Sequence, residues 1–577
     1  MTLNFAIIGG GLTGTSMLYC LVEKAKKAVY RGSMHPRHLK VQVFEKEAVF
    51  GPGLPHNDKQ VMPFHITNMC AESMSIDLKK PLDFKDWVIR NSDTLRRNLP
   101  HLLDSFESPG VIGQQCNHYP RAIMGEYLKA RFKKAIQTAG NIGLEVELFP
   151  NSEVTDVRED SGKVQLMVQD SKTSAIRSVT SDKILLATGH WFGKSEKDRF
   201  FPSPWPAKDL LHNIPPGEHV AVIGSSLSAI EVVLTLTSDG RFIRNQSSNL
   251  TFIPLAKPRK LTLYSRNGLL PRVRGKIGKY RNTILTPESL NRLLNKNKGK
   301  LQLEELFSLL DAEMQKVYGR SIDWMDILKP QNTARNYLKR HLKEAQNGDG
   351  PEGELLWLTV LQQIIPMARD IYINLTIQER LRFERLYSTV FFSYAATQPT
   401  INAEKLLALI DGGFVEVIPL GKTYHLIKDD TNGDYSFFYK NKRGEEKKDT
   451  YRYVVNARGQ DKSLKSNSSM LARNLIKSGT VYIDKIPDSA NRDALNNSLS
   501  MGSEDKTNQN KAGSVWIDTE THQIIKMSNK GSATRSENIY AVGAMTRGQI
   551  IDASMANGSV RSTSAIAKIV IDCLSQS

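Results

Sequence analysis

Cysteine is scarce in this chain of 577 residues. The four present (Cys20, Cys70, Cys116 and Cys573) lie far apart, with no CxxC pair and no Cys/His cluster. That spacing excludes a disulfide scaffold, a cysteine-rich zinc site and a CxxC redox pair, and no metal is expected. Long apolar runs are missing too. No stretch reaches the roughly 18 residues a membrane-spanning helix needs, and the best candidate, residues 355–367, holds two glutamines and Pro366. No basic segment precedes the short apolar run at the N-terminus, so nothing there reads as a secretory signal. A cytoplasmic protein without membrane contact is the expectation. Acidic residues are in deficit, with 60 Asp+Glu against 78 Lys+Arg and a formal net charge of +18. Otherwise the composition, 40% hydrophobic and 24% charged, is that of a soluble globular protein, which excludes disorder over most of the length. The length predicts about three or four domains.

The charge is concentrated. Residues 256–300 carry 13 Lys/Arg against one acidic residue, Glu288. Such a stretch attracts nucleic acid, an anionic surface or an anionic cofactor, or is simply a solvated basic face. With only Tyr264 and Tyr280 as aromatics, it offers little for base stacking, and nucleic acid is not the expected partner.

A buried strand over residues 3–8 runs into Gly9-Gly10-Gly11-Leu12-Thr13-Gly14, then a helical pattern over 15–27, then a strand over 39–44 that ends at Glu45. That order is the context in which GxGxxG means dinucleotide binding. Gly9 permits the tight turn, Gly11 the approach of a pyrophosphate, and Gly14 the close packing of helix on strand. The helix N-terminus faces the phosphates with free amides. Glu45 can accept from both ribose hydroxyls. It lies 31 residues beyond Gly14, a long spacing that an insertion over 30–38 explains.

A second unit begins with a strand over 219–223 and the turn Gly224-Ser225-Ser226-Leu227-Ser228-Ala229-Ile230-Glu231, with Ser226 where the middle glycine would stand. The next strand, 261–264, ends in Ser265-Arg266 rather than an acid. An arginine there suits the 2′-phosphate of NADP, whereas an acid would suit NAD. Residues 285–395 read as helical. Strand signals resume at 414–419, 423–427, 435–439 and 451–456. The polar stretch 486–513 reads as a flexible loop, and the chain closes with a strand over 538–542 and an amphipathic helix over 556–574.

The expected fold is therefore α/β, with two Rossmann-like dinucleotide-binding domains, the first discontinuous, and a mostly helical insertion. The expected division is an FAD domain over 1–205, an NAD(P) domain over 206–284, a helical insertion over 285–400, and completion of the FAD domain over 401–577.

The segments GGGLTG, GPGLPHN, HITNMCAESMS, YPRAIMGEYL, ILLATGH, SPWP, VIGSSLSAIE, YSRNGLLP and IYAVGAMTRG occur in that order along the chain. With them the sequence resembles the bacterial FAD/NAD(P)-binding oxidoreductase family, itself distantly similar to flavin monooxygenases and amino-acid N-hydroxylases. The resemblance implies that Gly9, Gly11, Gly14 and Glu45 hold the ADP half of FAD. It places His65 and Asn68 beside the flavin ring, with Arg121 bracing that side. Gly543 and Thr546 would meet the flavin or its ribityl chain, although Ala544 stands where many flavoproteins have an Asp. Gly224, Ser226 and Arg266 would take NADPH.

The function so implied is an FAD-dependent, NAD(P)H-linked oxidoreductase, a flavin monooxygenase acting on a small molecule such as an amine or amino acid. The alternatives are a flavin reductase or dehydrogenase without oxygen activation, and a flavin-bound binding module that uses the basic stretch for an anionic partner. The chemistry would be largely the flavin's. No Ser/His/Asp set, carboxylate pair or metal cluster is apparent. His56, His65, His118 and His190 lie near the matching segments, but a lone histidine is more often a structural hydrogen-bonder, and no catalytic residue is assigned. The sequence does not indicate an oligomeric state.

Overall fold

The computed structural model describes residues 2–104, 118–192, 199–324, 333–421, 423–460, 463–483, 513–527 and 533–575. The expected flexible loop falls almost wholly outside them. Two parallel sheets organise the chain. The elements that build them and frame the site are, in chain order, β1 (Leu3–Ile8), α1 (Leu12–Tyr30), β2 (Leu39–Phe44), α2 (Arg121–Asn141), β3 (Glu145–Phe149), β4 (Lys183–Leu186), β5 (Phe200–Phe201), β6 (His219–Ile223), α3 (Leu227–Leu236), β7 (Lys260–Ser265), β8 (Val415–Pro419), β9 (Tyr453–Asn456), β10 (Gln523–Met527), β11 (Ala533–Ala541) and α4 (Ala556–Ser575).

The first sheet has the order β10-β11-β4-β1-β2-β3, parallel except for the edge strand β10. β1 is a continuous apolar run because both its faces are covered. On one face lie α1, α2 and α4, with Met17, Leu18, Leu21, Ile123, Leu128, Ile566 and Val570 closing the core. The small residues of α1 let α4 come close, and Ser16 Oγ lies 2.8 Å from Thr563 Oγ1. The other face packs on the antiparallel meander Ser152–Asp160, Lys163–Asp170 and Ile176–Ser181.

The second sheet, β8-β7-β6-β9-β5, is parallel throughout. It repeats the plan of the first. β6, β7, β8 and β9 take the places of β1, β2, β3 and β4, and a second meander (Tyr424–Lys428, Tyr435–Lys440, Glu446–Tyr451) again sits between the last two. This pairing corrects the expected division of the chain. Strands at 415–419 and 453–456 belong to the second sheet, so the return to the first unit comes after β9 rather than at 401. At the other end, Phe200 and Phe201 already pair with β9, ahead of the expected start at 206. The helices from Pro287–Lys296 to Thr400–Asp411 occupy the interval between β7 and β8. Part of that helical segment packs on the second sheet through Met314, Leu338, Trp357 and Leu406.

Folding disperses the basic stretch. Arg259 is buried, its guanidinium on Ile214 O, Leu236 O and Asp239. Arg272 is buried 4.8 Å from the Trp357 and Tyr394 rings, with His341 Nε2 at 2.9 Å and Glu344 Oε2 at 3.0 Å. Arg274 is buried on Thr397 Oγ1 and Cys70 Sγ. These arginines are core residues, and a docking role for them with an anionic partner is excluded. Cys20 and Cys573 form no disulfide, whereas Cys70 is disulfide-bonded, so at most one bridge supplements the cores. No helix among the described residues is long and apolar enough to cross a membrane.

Candidate functional site

The two turns are built alike. Gly9, at φ +105°, donates to Phe44 O at 2.8 Å, and a Cβ on it would lie 2.4 Å from Ala187 O. Only glycine tolerates both the dihedral and the contact. Gly14 is a matter of space alone, since its Cβ would stand 1.9 Å from Gly9 O, inside the turn itself. In the second turn Gly224, at φ +125°, donates to Tyr264 O at 2.7 Å, and its Cβ would meet Ala457 O at 2.9 Å. Ser226 occupies the middle position with extended backbone, an exposed side chain and no capping bond. The serine is accommodated because its hydroxymethyl points away from the packed turn.

Neither α1 nor α3 has a side-chain cap or an acidic residue in its first turn. Their amide ends thus have no side-chain cap among the described residues and carry the positive end of the helix dipole. Both reach the same cleft, a cavity of about 440 Å³. Gly9, Gly11, Thr13 and Glu45 line it from the first unit, and Leu227 and Ser228 from the second. The chain segments that leave β4 and β9 form its floor, through Gly189, His190, Gly459 and Gln460.

Glu45, at the tip of β2, accepts from the Gly10 and Glu47 amides at 2.7 and 3.0 Å. Burial raises its carboxyl above the ordinary range. His56 and His190 are both held neutral by burial, with Arg121 nearby adding to the effect; their pKa values fall to about 3 and about 4. Arg121, the first residue of α2, donates from Nε to Glu231 Oε1 at 2.6 Å across the boundary between units. Among the described residues, three buried polar atoms of cleft-lining residues have no partner: His56 Nδ1, Thr188 Oγ1 and Trp205 Nε1. Leaving such atoms unpaired is costly unless a ligand satisfies them. These orphans, the uncapped helix ends and the glycine cradle fit a bound dinucleotide, and FAD fits the first turn.

Of the residues expected from sequence, Gly9, Gly11, Glu45, Asn68, Arg121 and Gly543 line the cleft. Gly14 and Gly224 stand behind it as packing positions. Arg266 is exposed, outside the cleft lining and without a side-chain partner among the described residues. Two expectations are corrected. His65 is buried, with its ring turned away from the cleft: Nδ1 accepts from Met62 N at 3.3 Å, so Nε2 carries the proton to Thr235 Oγ1 at 2.9 Å. Thr546 is equally buried and donates to Gly543 O at 2.9 Å, closing its own turn. The lining residues His56, Trp205, Gln460 and Arg547 were not singled out as site residues. His56 and Trp205 lie in recognisable segments, GPGLPHN and SPWP, whereas Gln460 follows only the faint echo Asn456-Ala457-Arg458-Gly459 of the Ala187-Thr188-Gly189 strand end.

Residues 6–191 match a family model described as FAD-NAD(P)-binding. The uncharacterised protein YdhS of Escherichia coli (strain K12) is 24% identical over 447 residues, which are 73% of this chain and 78% of that one. Two solved structures are similar at lower identity. DfoA, an FAD-bound cadaverine monooxygenase from Erwinia amylovora, is 11% identical with a TM-score of 0.47, covering 99% of this chain and 95% of its own. An ornithine N-hydroxylase of Kutzneria sp. 744 is 13% identical with a TM-score of 0.45, covering 99% and 100%. The residues matched by the family model run from within β1 to just past β4 in the first unit.

Proposed function

We propose that the protein is an FAD-dependent, NAD(P)H-linked oxidoreductase and, within that class, a monooxygenase acting on a small amine or amino acid. The observation that supports this most is the shared cleft. Two uncapped helix N-termini, each behind a dinucleotide turn, open on one cavity, the arrangement that brings two nucleotides close enough to exchange a hydride.

Gly9, Gly11 and the first turn of α1 would take the FAD pyrophosphate, and Glu45 the ribose hydroxyls. Asn68, Arg121 and Gly543 would meet the flavin half. Gly224, Ser226 and the first turn of α3 would take the pyrophosphate of NADPH, and Arg266 its 2′-phosphate. Bound there, FAD would supply two-electron redox chemistry between a nicotinamide donor and an acceptor, which is oxygen in a monooxygenase. The chain's own part is to bind, orient and exclude water. Phe192 and Trp205 pack with ring centroids 5.6 Å apart at the cleft wall. The neutral His56 and His190 add hydrogen-bonding capacity without charge, and Arg121 and Arg547 add positive charge for anionic cofactors.

Purified protein is expected to show flavin absorbance or to bind added FAD, and NADPH is expected to bleach that flavin without oxygen. Protein that does neither is not a flavoenzyme of this class. With oxygen readmitted, a monooxygenase forms one hydroxylated product per NADPH in the presence of an amine. A reductase consumes NADPH and yields only reduced oxygen species. Arg266→Ala is expected to weaken NADPH by about tenfold, the worth of a charge-assisted contact, and to leave NADH unchanged. Equal loss for both nucleotides would remove Arg266 from the 2′-phosphate site.

A further inference from the structure

Glu231 is the acidic residue that closes the second turn motif, and the cofactor contacts above do not use it. It is 4% exposed, its Oε1 takes the Nε of Arg121, and its Oε2 has no partner among the described residues. Arg121 is anchored from behind. Its backbone N–H donates to His65 O at 2.7 Å, and residues 66 and 120 form a bridge beside it. One turn along α3, Thr235 Oγ1 donates to Glu231 O at 2.8 Å and meets His65 Nε2 at 2.9 Å. His65, Arg121, Glu231 and Thr235 thereby form a closed ring, two residues from each unit. With Nε committed, the guanidinium plane of Arg121 is set, and its two terminal nitrogens have no partner among the described residues although Arg121 lines the cleft.

We infer that Glu231 is a positioning residue for Arg121, turning its terminal nitrogens into a fork that takes an anionic oxygen group of a nucleotide cofactor in the cleft. A guanidinium recognises such groups through paired N–H donors in one plane, and an arginine free to rotate would offer charge without that plane. The carboxylate that fixes the plane comes from the helix whose N-terminus faces the second turn. The fork is therefore correct only when the two units are docked. The inference rests on the cofactor reading above.

The test measures binding on the full chain, with FAD and NADP⁺ as probes, by flavin fluorescence and calorimetry. Glu231→Gln is expected to weaken one of the two nucleotides by about tenfold or more, the worth of a hydrogen bond to a charged group. The nucleotide weakened identifies the source of the anionic group. Arg121→Lys, which keeps the charge and loses the fork, is expected to weaken the same nucleotide, and adding Glu231→Gln to it is expected to cost no more. Glu231→Asp, which keeps the carboxylate on a shorter arm, is expected to lose less, and it serves as the test should the Gln variant not fold. The inference is overturned if Glu231→Gln leaves both affinities within twofold of wild type, or if its cost is the same in the Arg121→Lys background. Wild-type protein that binds neither FAD nor NADP⁺ would instead remove the cofactor reading on which it stands.

Discussion

Replacing Gly14 by alanine forces a methyl group to within 1.9 Å of Gly9 O, and the only relief is to part α1 from β1. The variant is expected to lose bound flavin and to melt well below wild type; retained flavin at wild-type stoichiometry would show that the turn tolerates a side chain. Arg272 is the opposite case, a residue whose role the sequence disguises. Its guanidinium lies over two rings and donates to His341 Nε2, which fixes that ring's proton on Nδ1 facing Glu344 Oε2 at 2.9 Å. Removing one partner of such a buried set costs about 3–5 kcal/mol. Arg272→Ala is therefore expected to lower the urea midpoint sharply. The glycines, Glu45 and Arg121 were legible because their constraints are local. His65 and Thr546 were not, because the direction of a short side chain depends on Thr235, 170 residues away, and on how a turn closes on itself.

At the scale of elements, α4 shows what periodicity conveys. Its buried residues Val560, Ile566, Ala567, Val570 and Ile571 form the stripe that seats it on the first sheet and α1. Ile566→Ala is expected to cost about 2–5 kcal/mol, read as a lower denaturant midpoint with an unchanged slope. The central strands were legible as apolar runs and the closing helix as a stripe. The first meander escaped notice, and so did the hairpin Gly240–Arg244 with Leu250–Pro254. Their outer strands carry little pattern: Ile176–Ser181 is exposed over most of its length, and its pairing partner supplies the order. The helices between β7 and β8 were visible as helices, but no local signal says to which sheet a strand 150 residues later returns.

At the scale of the molecule, burial holds His56, His65, His118, His190, His341 and His522 neutral, with pKa values lowered to between about 3 and about 4. In the unfolded chain each titrates near the ordinary 6.5, so acid protonates the unfolded state first. Their contribution is complete above that value and is lost as the pH falls through it toward the folded values, each histidine adding about 1.4 kcal/mol per pH unit to the slope. Stability is expected to be level above pH 7 and to fall steeply from pH 6.5 to 4.5. A melting temperature constant across pH 7 to 5 would contradict the neutral, buried assignment.

The chain passes from one sheet to the other after β4 and back again after β9, and the two passages are tied where the Trp191 amide donates to Gln460 Oε1 at 3.1 Å. Residues 187–190 in the first passage, and Gly459 and Gln460 in the second, line the floor of the cleft. The chain therefore joins the two units at the wall of the cavity itself, alongside the Arg121–Glu231 pair that also spans them. A molecule bound in the cleft would therefore press on the same strand ends that carry the chain from one unit to the other.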